Sequence, residues 1–204
     1  SMALTKLDDV IEVNATVVII NLTMADLNAV KYAYTYGTLD KMRCGVDFVT
    51  DIFGNVLLGD ADLDYNELIV DIDVFVPDTT APELLAFSID LSTDTIDIVF
   101  DELVEHWSIN PMHIQLLSSS NTSDPDTEYL QLSNYSIVLG DTHSRKSNIT
   151  VDLGLLRADG FRLQAESLIG QNATTTFLHL AGVTDINGNE RLSNTSIIRV
   201  SEIK

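Results

Sequence analysis

Residues 183–192 read "VTDINGNERL", and 134 positions earlier residues 49–57 read "VTDIFGNVL". The same offset lays Asn14-Ala-Thr16 on Asn148-Ile-Thr150, Val17 on Val151, and Cys44 on Leu178. Self-similarity at a fixed offset is an internal repeat. Locally the stretch specifies a tight connection between strands: Gly188 accepts a positive φ at no steric cost, and the Asn and Asp side chains bond back to their own backbone. The first copy puts Phe53 where the second has Asn187 and keeps the Gly-Asn pair.

Working outward, the two copies differ in phase. Residues 1–77 match only the later part of the unit, whereas residues 78–204 also contain "DTTAPELLAFSIDLSTDTIDIVFDELVEHWSINPMHIQLLSSS", which has no earlier counterpart. The chain therefore reads as the end of one repeat, 1–77, followed by one whole repeat, 78–204. Pro77 and Pro82 in "VPDTTAPELL" fix their own φ and push their predecessors toward extended backbone, so a short, stiff link is expected there.

The local pattern is that of strands. Ile96, Ile98 and Phe100 alternate with polar or exposed neighbours, and Val70, Ile72, Val74 and Val76 in "LIVDIDVFV" alternate with Asp71 and Asp73. Further strands are expected in "ATVVIINL", "HIQLL", "YSIVLG", "NITVDLG", "FLHLAGV" and "SIIRVSEI". Such short strands between Gly, Asn, Asp, Ser and Pro point to an all-β antiparallel sandwich. Two segments differ. "MADLNAVKYAY", with Leu27, Val30 and Tyr34 at helical spacing, and "RADGFRLQAESLI" occupy the same place in each copy and are expected to be short crossing helices.

Composition limits the partners. With 31 acidic against 11 basic residues the net charge is −20, spread over both halves, a field that repels phosphate backbones and anionic lipid. Nucleic acid is therefore excluded, and no apolar run approaches the roughly 20 residues of a membrane span. Seven of the Asn residues, Asn14, Asn21, Asn121, Asn134, Asn148, Asn172 and Asn194, stand in N-x-Ser/Thr sequons, where random placement gives about two. The excess is read as a secreted, N-glycosylated, extracellular or cell-surface protein. Cys44 is the single cysteine, so no disulfide forms within the chain, and a small buried hydrophobe is expected there.

The segments "DTTAPELLAFSIDLSTDTIDIVFDELV" from Asp78 and "GVTDINGNERLS" from Gly182 resemble the bacterial Ig-like repeats of S-layer and other large surface proteins. Those repeats open with Asp-x-x-x-Pro, pass through a strand ending in Phe and an acidic pair, here Asp101-Glu102, and close on a Val-x-Asp-x-x-Gly-Asn turn. The resemblance covers residues 78–204 and the later half of the unit in 1–77. It implies Ig-like β-sandwiches in tandem, used for adhesion or for building layers and fibres, and it carries no catalytic residues.

Two groups of acids are candidate cation sites. Asp60, Asp62, Asp64 and Glu67 in "GDADLDYNEL" form a D-x-D-x-D-x-x-E array that begins to supply the oxygen ligands calcium takes. The array departs from an EF-hand at Tyr65 and equally suits a solvated acidic loop that discourages edge pairing. Asp73, Asp78, Asp101 and Glu102 would converge at the link if the two units stack end to end, and equally suit solvated strand ends. The histidines are scattered, and no nucleophile elbow or phosphate loop is present, so no enzyme is expected. Trp107 is expected in the core and becomes a candidate sugar platform if exposed. The expected whole is a segment of a fibre, surface layer or flagellar hair whose partners are neighbouring repeats or copies. A calcium-dependent adhesin or a carbohydrate-binding module is the alternative.

Overall fold

A computed structural model describes residues 7–14, 17–37, 41–45, 53, 55, 67–141, 145–153, 159–160, 163, 169–191 and 197–204. Among the described residues the fold is mostly β with one complete α-helix, and it divides into two compact units. The first comprises Ser1–Asn21 and Ala25–Asp78, the second Leu22–Met24 and Thr79–Lys204. No helix among the described residues is long and apolar enough to cross a membrane.

Among the described residues the first unit holds two two-stranded sheets. One joins β1 (Leu7–Asn14) to β2 (Val17–Leu22). In the other, β3 (Lys41–Gly45) runs antiparallel to β4 (Glu67–Asp71), with Lys41 opposite Asp71 and Gly45 opposite Glu67. The helix α1 (Met24–Thr35) stands where its sequence predicts. Asp26 in the first turn faces the positive end of the helix dipole. At the other end Gly37 takes φ +65° and donates its N–H to the Tyr34 carbonyl at 2.9 Å, which stops the helix. Among the described side chains of α1 the buried ones are Asp26 and Asn28, not Leu27, Val30 and Tyr34, so the expected apolar face is only partly covered.

The strand expected over residues 68–76 ends at Asp71, and residues 72–83 belong to no sheet. Within the first unit, α1 holds the part up to Asp78: Phe75 stacks on Tyr34, with ring centroids 3.4 Å apart, and Asp78 pairs with Lys31. Side-chain contacts one helical turn apart replace the ladder that a neighbouring strand would supply.

Among the described residues the second unit has nine strands: β5 (Leu84–Asp90), β6 (Thr95–Glu105), β7 (Ile114–Leu117), β8 (Tyr129–Gln131), β9 (Ile137–Leu139), β10 (Arg145–Asp152), β11 (Phe177–Leu180), β12 (Ile198–Arg199) and β13 (Glu202–Ile203). They form a five-stranded sheet in the order β13-β5-β6-β10-β9 and a four-stranded sheet in the order β12-β11-β7-β8. Pairing is antiparallel with one correction to expectation: β13 lies parallel to β5, with Ile203 opposite Ile89. The reason is a change of sheet. The segment expected as one strand, "SIIRVSEI", leaves the four-stranded sheet after Arg199, bonds through Ser201 N–H to the Phe87 carbonyl at 2.8 Å, and enters the five-stranded sheet beside the unit's first strand.

Both sheets feed one core. Phe87, Ile89, Ile96, Ile98, Phe100, Ile149 and Val151 come from the five-stranded sheet, and Ile114, Leu116, Leu130, Leu178 and Leu180 from the other. Period-two alternation along β6 sends Ile96, Ile98 and Phe100 inward. Each such side chain contributes about 1.5–3 kcal/mol when fully buried. Asp159, Gly160 and Leu163 have helical backbone inside the second segment expected to be helical.

Candidate functional site

Of the expected calcium array, Asp60, Asp62 and Asp64 lie outside the described residues, and Glu67 opens β4. Of the four acids expected to converge at the link, Asp73 and Asp78 belong to the first unit and Asp101 and Glu102 to the second. Asp73 is exposed, and Asp78 is ion-paired with Lys31. Alternation along β6 sends Asp101 and Glu102 to opposite faces. The Asp101 carboxylate accepts the Glu83 N–H at 2.7 Å, while Glu102 is buried at the inward position after Phe100.

Glu102 has a carboxylate companion that the sequence reading did not name. Asp185, also buried, has a carboxylate oxygen within 4.8 Å of one on Glu102. It is delivered there by the repeated turn. Val104 of β6 bridges antiparallel to Asp185, Glu105 N–H donates to the Thr184 carbonyl at 2.8 Å, and Thr184 N–H donates to Ser108 Oγ at 3.0 Å. The Asp185 carboxylate then organises the turn: Oδ1 accepts the N–H groups of Asn187 (2.9 Å) and Asn189 (2.7 Å), and Oδ2 accepts Asn189 Nδ2 (2.9 Å). Gly188 at φ +89° closes the loop. Two buried carboxylates this close repel unless donors, a proton or a cation compensates. Asp185 has its donors in the turn. The pair is two hard oxygen ligands, short of the about six to eight that calcium takes. The signal for Asp185 was in the sequence, since Asp51 holds the same place in the first copy.

Arg191 gave no such signal. Its backbone closes the turn, with Arg191 N–H to the Val183 carbonyl at 2.7 Å and Gly182 N–H to the Arg191 carbonyl at 2.9 Å. Its buried guanidinium donates from Nε to the Leu180 carbonyl (3.3 Å) and from Nη1 to the Pro82 carbonyl (3.2 Å). Burial lowers its pKa from the usual value, and the carboxylates of Glu83 and Asp101 offset part of that. One residue thus ties the opening segment of the second unit to its closing turn, the two pieces of sequence on which the family resemblance rests.

At the end of β6 the alternation breaks, because Glu105 and His106 are both buried. Glu105 pairs with Arg145 Nε at 2.8 Å, and His106 Nε2 donates to the Leu139 carbonyl at 3.1 Å. Trp107, in the 3-10 turn His106–Ser108, keeps the outward phase of β6 and is 66% exposed, which corrects the expectation that it packs in the core.

The sequons divide cleanly. Asn21, Asn121, Asn134, Asn148 and Asn172 are all exposed, whereas the side chain of Asn14 and all of Asn194 lie outside what is described. In two of them the Asn side chain bonds to its own sequon: Asn121 Oδ1 accepts Ser123 N–H (3.2 Å), and Asn172 Oδ1 accepts both N–H and Oγ of Thr174 (2.9 and 3.0 Å). The backbone of Cys44 pairs with Leu68, and its side chain is likewise outside what is described.

No protein-family model, curated protein or solved structure matches this chain.

Proposed function

We propose that this chain is part of a secreted structural or adhesive glycoprotein built from tandem Ig-like β-sandwiches, serving in a fibre, surface layer or flagellar hair. The observation that carries the reading is the exposure of every sequon asparagine whose side chain is described, four of which, Asn121, Asn134, Asn148 and Asn172, lie on the unit with the two-sheet core. Glycans attach to Asn side chains that reach solvent, and a module with its own core can be repeated along a chain without losing stability. Glycopeptide mapping of the native protein tests it. N-glycans at several of Asn21, Asn121, Asn134, Asn148 and Asn172 are the expected result, and bare asparagines at all five would overturn the secretion argument.

The exposure of Trp107 favours a second reading, a carbohydrate-binding module, since an exposed indole presents a flat face to a sugar ring. Oligosaccharide-dependent quenching of Trp107 emission would support it, and emission unchanged across a glycan panel would remove it.

A further inference from the structure

On so acidic a surface, two stretches of this chain are apolar, exposed and complementary in form. The first is β9, at the end of the five-stranded sheet with β10 on one side. Val138 packs toward the core, while Ile137 and Leu139 are 41% and 45% exposed. Edge strands are usually blunted by Lys, Pro or a bulge. Residues 129–140 contain no Asp, Glu, Lys, Arg or Pro.

The second is residues 72–76, "IDVFV", which are rich in the β-branched and aromatic residues that strands favour but belong to no sheet. Phe75 on Tyr34 and Asp78 on Lys31 hold this segment along α1. Val74 and Val76 remain 74% and 81% exposed. Pro77 biases Val76 toward extended backbone and ends the segment. A strand-patterned segment with no sheet and an unguarded edge with no charge are the two halves of a strand addition.

We propose that β9 of one copy accepts residues 72–76 of another copy as an added strand, with Val74 and Val76 packing beside Ile137 and Leu139. Donor and acceptor are different surfaces, so each copy uses both, and the contact builds a ring where its rotation closes and an open filament where it does not. In a chain of net charge −20, this uncharged edge is also where two copies meet with little like-charge repulsion. The proposal rests on the assembly reading above and names its contact.

The chain carries its own reporter, because Trp107, its one tryptophan, adjoins His106, which is bonded to Leu139 of β9. Sedimentation velocity over a concentration series is compared for wild type, Val74→Pro, Val74→Lys and Ile137→Lys. These positions are exposed, and matching thermal melts establish that each variant folds. Wild type should form species heavier than monomer, and each variant alone should lose them. A mixture of Val74→Pro with Ile137→Lys, which leaves one intact donor and one intact acceptor, should recover dimers and nothing longer. A peptide of residues 71–77 in excess should blue-shift Trp107 emission and stop wild-type growth. Assembly of all three variants at wild-type concentrations would overturn this contact and leave the assembly reading standing. A wild-type chain that stays monomeric at every concentration would overturn both.

Discussion

The two units carry the same turn and differ in what surrounds it. Among the described residues, every buried large hydrophobic side chain belongs to the second unit, from Leu84 to Val200. The first unit instead exposes Ile19, Tyr32, Tyr36, Met42, Phe53, Val70, Val74 and Val76. The difference traces to β5 and β6, the part of the second copy with no counterpart in residues 1–77. They occupy the middle of the five-stranded sheet and supply Leu84, Phe87, Ile89, Ile96, Ile98, Phe100 and Val104 to the core. At the 134-residue offset, β3 answers to β11 and β4 to β13. In the second unit these lie in different sheets, whereas in the first they pair with each other. Without central strands between them, strands of one repeat satisfy their backbone groups locally and leave apolar faces uncovered.

The comparison is broken most sharply in the core. Phe87→Ala should cost about 3–5 kcal/mol of second-unit stability in urea denaturation, whereas Phe53→Ala, at an exposed position, should stay within about 0.5 kcal/mol. Equal effects would mean that both units are built alike. Arg191→Met, which removes the donors to the Leu180 and Pro82 carbonyls, should cost about 3 kcal/mol, and a neutral result would deny that the opening segment is tied to the turn. Gly188→Ala should cost about 1 kcal/mol from the positive φ alone, since open space surrounds the added methyl group.

The smallest effect is in acid. Asp90 has its pKa lowered below 3.8, first by the Ser92 hydroxyl, then by the Ser92 and Thr93 N–H groups, with Lys204 assisting and desolvation opposing. A carboxylate with a depressed folded pKa contributes stability that is present above its unfolded value and lost as pH falls through the folded one. Asp90→Ala should therefore lower the thermal midpoint near neutral pH and converge on wild type below the folded pKa. A difference that persists unchanged into strong acid would assign the effect to packing instead.

Much of the second unit was legible because period-two alternation survives wherever one face of a strand is buried, as in Ile96, Ile98 and Phe100. The same rule misled at residues 72–76. Alternation shows that a segment is fit to be a strand, but it does not supply the neighbour, and here α1 holds the segment instead. Trp107 was misplaced because its expected burial rested on residue type alone; the alternation of β6 runs on through buried His106 to an exposed Trp107, and only Glu105 falls out of phase. Asp185 could be read as a turn residue but not as the buried companion of Glu102, since 83 residues separate them and only the bridge to Val104 brings them together. Arg191 was invisible for the same reason: its partners are main-chain carbonyls, which sequence does not distinguish.

Native-state hydrogen exchange on the full chain, resolved by residue, tests most directly whether one repeat is complete and the other is not. The account predicts that amides of β5, β6 and β10, such as Ile96, Ile98 and Val151, exchange only through global unfolding of the second unit, while those of β3, β4 and residues 72–76 exchange orders of magnitude faster in the monomer. Uniform protection across both units would contradict it, because it would show that residues 1–77 close a core of their own.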